Sequence, residues 1–169
     1  MKTWIVTALL AASLAGPSLA ADTFDLFTES EAATWNAAQA KEPKDFSTRD
    51  LRQDNSAPTC HSLADNDADN PQIRILAPLL GRSLTVPVDI DVQFMPTSSA
   101  PIRPDTFRLC YIGLVTVDLT KRITDRIMVS EKGLHVAGAQ LPRGRHRLLL
   151  LVADQRGRLG LREAVFNID

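Results

Sequence analysis

The sequence predicts an all-β protein, an antiparallel sandwich of about seven strands with a helical extension in front of it. Short apolar runs follow one another from Pro71 to the end of the chain, turn residues stand between them, and the one clear helical signal lies upstream, near Thr28. The expected division is 1–20 export signal, 21–70 helix plus extended linker, and 71–169 sandwich.

Lys2 supplies a positive n-region, Trp4 through Ala15 an apolar h-region, and Ser18-Leu19-Ala20 the small-x-small pattern of a signal peptidase site, which places cleavage between Ala20 and Ala21. The apolar run is shorter than the roughly 20 residues needed to span a bilayer core. A periplasmic or secreted chain without a membrane span is therefore expected.

In the extension, Thr28-Glu29-Ser30-Glu31 reads as a capping box, with Thr28 as N-cap and Glu31 reaching back from the third helical position. Phe27 before it is placed to staple onto Ala32, and Trp35 is the largest apolar side chain of the helix. The helix is expected to run to about Lys41, because Pro43 drives Glu42 out of helical geometry. Lys44 to Asn70 is rich in Asp, Asn, Ser and Pro and has no periodicity.

The first strand is Ile73-Arg74-Ile75-Leu76. In the second, Val88, Ile90, Val92 and Phe94 alternate with Asp89, Asp91 and Gln93, the pattern of a half-buried strand. Phe107 to Ile112 is the third and Leu114 to Leu119 the fourth. A helical turn at Lys121–Arg126 precedes a fifth at Gly133 to Ala139. Arg147 to Asp154 and Leu161 to Ile168 close the chain, joined by Gln155-Arg156-Gly157-Arg158.

Cys60 and Cys110 are the only cysteines, and in an oxidising compartment an even pair reads as one disulfide. Side chains alternate across a strand, so if Phe107, Leu109 and Tyr111 point inward, Cys110 points out. The penultimate strand is apolar on both faces, with Leu149, Leu151 and Ala153 forming an outer set that needs a cover. The segment Phe24 to Trp35, with Cys60 tied to the outward Cys110, is the expected cover; a homodimer contact is the alternative. The chain is expected to be a monomer or a homodimer.

With the signal removed, 18 basic and 20 acidic side chains leave a formal charge near −2, and no domain-wide positive excess supports a nucleic-acid binder.

Several of these residues together resemble a known family. Pro71-Gln72-Ile73, Leu84 through Phe94, Gly133 through Leu141, Pro142-x-Gly144 before Leu148–Ala153, and Asp154-x-x-Gly157 before the last strand are similar to the immunoglobulin-like and cadherin-like domains of bacterial exported proteins. The resemblance covers Pro71 to Ile168. It implies a Greek-key sandwich in which Pro142-x-Gly144 turns into the penultimate strand and Asp154-x-x-Gly157 makes the last hairpin turn. A core tryptophan and a cysteine pair across the two sheets are missing, which excludes an antibody-type domain.

Two candidate sites stand out. Asp65, Asp67 and Asp69 alternate as carboxylates do in calcium loops, and Ca²⁺ takes six to eight oxygens; calcium is the one cofactor with any support, and a solvated acidic loop is the competing reading. Neither the glycine nor the closing glutamate of an EF-hand is present. Arg143, Arg145, Arg147, Arg156 and Arg158 form a basic set around the last hairpin that suits an anionic partner, while the plain alternative is charge guarding an exposed strand edge.

The histidines at 61, 135 and 146 have no metal-ligand spacing, and the common nucleophile and phosphate-loop motifs are absent from the sequence. Asp89 and Asp91 read as solvated surface. The expected function is a non-catalytic binding or accessory module whose partner is a protein or an anionic cell-envelope polymer. The alternative is a periplasmic hydrolase or metal-handling protein with a site assembled from distant strands.

Overall fold

A computed structural model describes residues 23–37, 58–62, 68–97 and 99–169. The described residues form β1 (Phe24–Asp25), α1 (Glu29–Ala37), β2 (Gln72–Ala77), β3 (Ser83–Leu84), β4 (Val88–Met95), β5 (Ile102–Ile112), β6 (Thr116–Asp118), α2 (Thr120–Thr124), β7 (Gly133–Gln140), β8 (Gly144–Asp154) and β9 (Leu159–Ile168). They make two sheets, one in the order β1-β7-β4-β2 and the other β3-β9-β8-β5-β6. The architecture is the expected all-β sandwich. The export signal lies outside the described residues, and among those described no helix is long and apolar enough to cross a membrane.

The core follows from alternation. Val88, Val92 and Phe94 of β4 face Phe107, Leu109 and Tyr111 of β5 and Leu148, Leu150 and Val152 of β8 in one cluster between the sheets. Nine strands are described instead of about seven, and the arrangement is not wholly antiparallel. The two extra strands, β1 and β3, have two residues each and pair in parallel with β7 and β9 at sheet edges. Pairs this short leave no alternating pattern to read. β5 also starts five residues before its expected Phe107, because its register shifts between Arg103 and Arg108. Pro104, which cannot donate to a ladder, sits in that irregular stretch.

The capping box forms as expected: the Thr28 amide donates to Glu31 Oε2 at 2.8 Å, and the Glu31 amide donates to Thr28 Oγ1 at 3.3 Å. The expected continuation of the helix to Lys41 falls outside the described residues. The segment is not, however, a cover on the outer wall. Phe24, Leu26, Phe27 and Ala32 are buried in the inner core, β1 extends the first sheet, and the Leu26 amide donates to the Gln140 carbonyl at 3.0 Å. The physical reason lies in the pattern Phe24-x-Leu26-Phe27, whose large side chains bury far more surface between the sheets than on one face of them.

Cys60 and Cys110 are joined in a disulfide, with their Cα atoms 5.7 Å apart. Cys110 is buried yet stands outside the inner cluster that holds Leu109 and Tyr111, so it faces outward as alternation requires. Opposite it in register is Leu149, which is half-buried; next on that face, Leu151 is 0% exposed within the single chain. No second copy is needed to bury Leu151.

Candidate functional site

The basic residues of the last hairpin do not form one patch. Gly144 pairs with Ile168 at one end of β8–β9 and Ala153 with Leu159 at the other, so the strand between them spans roughly 30 Å at about 3.3 Å per residue. Arg143, Arg145 and Arg147 stand at the first end, Arg156 and Arg158 at the second. A long hairpin separates what the linear sequence places side by side.

Several of these arginines also have structural partners. Arg147 binds both carboxylate oxygens of Glu163 across the strand pair. Arg158 donates through Nε to Asp154 Oδ2 at 2.8 Å, and Asp154 Oδ1 accepts the Arg156 and Arg158 amides at 2.9 and 3.0 Å. With Gly157 at φ +77° and its amide on the Asp154 carbonyl, Asp154-x-x-Gly157 makes the hairpin turn that the resemblance implied. Arg143, Arg145 and Arg156 are exposed.

Of the acidic loop, Asp65 and Asp67 lie outside the described residues. Asp69 is exposed and its carboxylate lies 3.7 Å from Arg158 Nη1. Among the described residues no three His, Cys, Asp or Glu side chains gather as metal ligands would.

The buried titratable groups are engaged in the fold. His146 places Nε2 2.7 Å from the Pro142 carbonyl, which makes Nε2–H the donor, and turns Nδ1 toward the Tyr111 hydroxyl at 3.5 Å. Its ring packs against Phe27 at 5.2 Å and Phe166 at 5.8 Å, and burial holds its pKa below the ordinary histidine value. Arg122 of α2 reaches α1: its Nη1 donates to Glu31 Oε2 at 3.1 Å and to the Leu26 carbonyl at 3.0 Å. That guanidinium, with the Thr28 amide, pulls the Glu31 carboxyl down to about 2. His135 lies on the outer face of the other sheet, 3.9 Å from Asp91.

One concavity among the described residues is wholly apolar. A cavity of about 30 Å³ opens between the sheets, lined only by aliphatic and aromatic residues and proline, among them Val92, Leu134 and Leu150 at its buried end. Ile75, Ala77, Pro78, Leu80 and Ile90 line it on the partly exposed side, so its mouth lies where the chain leaves β2 and crosses to β3 in the other sheet. Leu76, Leu79 and Val86 are exposed around that crossover, Leu79 at 68%. Reading the sequence for charged and nucleophilic groups missed this place. Its one signal was the aliphatic content of Ala77-Pro78-Leu79-Leu80 and Val86-Pro87, stretches otherwise marked by proline as turns.

Comparison with protein-family models and with curated protein sequences finds no match to this chain.

Proposed function

We propose that this chain is an exported, non-catalytic binding module on an immunoglobulin-like sandwich, and that the mouth between β2 and β3 is where it binds. The strand order supports the immunoglobulin-like part: β2-β4-β7 packs on β9-β8-β5-β6, and the first strand region crosses from one sheet to the edge of the other. Function is argued from the site and not from that likeness.

The observation that carries the reading is the pairing of an all-apolar cavity with exposed aliphatic side chains at its opening. Such a lining holds a ligand by excluding water and supplies no group for proton transfer or nucleophilic attack. Among the described residues, the buried His146 and Asp154 are held in an aromatic cluster and a hairpin turn.

The test is methyl NMR of protein purified after export, titrated separately with lipid, glycan and protein fractions of a cell envelope. Saturable shifts at Leu79, Leu80 and Val86 with one fraction are expected. Silence of those methyls toward all three fractions, or turnover of ester, glycoside or phosphoester reporters, would overturn the proposal.

A further inference from the structure

We infer that the cavity and its rim form a site for one aliphatic chain ending in an anionic head group, a free single-chain fatty carboxylate. This rests on the reading of the β2–β3 mouth as the binding place and adds the chemistry of the ligand.

The lining sets the first half of that chemistry. Ile75, Leu80, Ile90, Val92, Leu134 and Leu150 present no polar side-chain atom to the space, so any hydroxyl or amide placed there would lose its hydration without a partner. An alkyl end loses nothing. The volume sets the second constraint. About 30 Å³ accommodates the end of one chain, and the two chains of a phospholipid would not enter together. The remaining methylenes would lie along the exposed Leu79 and Val86 at the rim.

Charge at the rim selects the head group. Arg82 follows Leu80 by two residues, on the turn made by Gly81 at φ +87°, and is exposed. Among the described residues no carboxylate forms an ion pair with it, which it shares with other exposed arginines such as Arg143 and Arg145. An exposed guanidinium two residues along the chain from the lining Leu80 suits a carboxylate, with which it can make two parallel hydrogen bonds while the tail stays dry.

The experiment titrates isotope-labelled protein, purified after export, with octanoate, decanoate and laurate below their micelle concentrations, reading the methyls of Ile75, Leu80 and Ile90. One saturable site is expected, tightening with each added methylene by less than the roughly fourfold that full burial of one CH₂ would give, because the added methylenes lie along the exposed rim. Arg82→Glu should weaken laurate about tenfold through loss of a charge-assisted contact. Ala77→Leu at the mouth should block the shifts. Should Ala77→Leu fail to fold, the exposed Arg82→Glu variant and the chain-length series still decide.

No saturable shift with laurate, or an equal response to dodecyltrimethylammonium, overturns the inference. So does a response to anionic phospholipid vesicles in its place. If laurate fails while another envelope fraction moves the same rim methyls, the ligand class falls and the binding module stands; if every fraction fails, both fall.

Discussion

The ring of Phe27 lies 4.9 Å from that of Tyr111 and meets it edge-on at 62°. Tyr111 belongs to β5 and faces the space between the sheets, so this contact makes the leading segment part of the core. Trp35 extends the stack, 5.6 Å from Phe27 and 5.2 Å from Tyr111, and Arg122 lies 6.0 Å over its ring. Phe27→Ala should therefore destabilise the whole protein by about 3 kcal/mol, the usual loss for a buried aromatic. Chemical denaturation followed by tryptophan fluorescence and by far-UV circular dichroism should give one shared transition. Two separated transitions would mean that the segment unfolds by itself.

Acid should weaken the fold in two stages. His146 has a folded pKa below its ordinary 6.5, so the unfolded chain takes up that proton first; its contribution is complete above about pH 6.5 and declines as pH falls below it. Glu31 sits at about 2 against an ordinary 4.5, so its contribution is complete above about 4.5 and is lost as pH falls toward 2. Melting temperature measured from pH 8 to pH 2 should show both declines. His146→Gln should remove the upper one. Glu31→Gln should remove the lower one and cost about 1 kcal/mol at neutral pH, a modest value because the pair with Arg122 is partly exposed.

Two arginines that look alike in the sequence should behave differently. Arg158→Glu places an acid beside Asp154, which is 1% exposed and depends on that guanidinium, and should cost about 3 kcal/mol or more. Arg145→Glu alters an exposed side chain on the outer face and should stay within about 0.5 kcal/mol. Equal effects in thermal denaturation would contradict the dependence of Asp154 on the Arg158 guanidinium.

These outcomes also mark what was legible in the chain. The long strands were readable because each carries several apolar residues at period two, as Val88 to Phe94 does, and the capping box because its partners are three residues apart. The outward turn of Cys110 followed from the same alternation. Long-range placement was not readable. Period-two logic says which side chains of β8 face together, but not that Phe27 would insert beside Tyr111, about 80 positions later. The division of the basic set between the two ends of the hairpin is another such placement, since residues close in the sequence part along an extended arm.

The disulfide closes a loop of 50 residues, for which the chain-entropy model gives about 4 kcal/mol. Cys60→Ala with Cys110→Ala should therefore lower stability by up to that amount, while His146 keeps its place between Phe27 and Phe166, because those contacts do not pass through the sulfurs. The His146 ring resonances report this directly. Their collapse toward random-coil positions in the double variant would show that the bridge holds the leading segment in the core.

At Gly160 the two sheets approach closely. It sits in β9 beside the start of β2, and a Cβ built on it would stand 2.2 Å from the Pro71 carbonyl oxygen. That oxygen belongs to backbone, so the contact cannot be relieved by turning a side chain; β2 and β9 would have to part. Gly81 is the informative contrast. Its φ of +87° strains any other residue, but a Cβ there meets nothing within 4 Å. Gly81→Ala should thus cost about 1 kcal/mol, the ordinary left-handed penalty. Gly160→Ala should cost about 3 kcal/mol, as overpacking does when neighbours cannot yield. Because β2 also lines the cavity, parting it from β9 should widen the mouth: the Ile75 and Leu80 methyls should shift in Gly160→Ala and stay in place in Gly81→Ala. A Gly160→Ala variant with unchanged stability would mean that this edge is looser than the Pro71 contact requires.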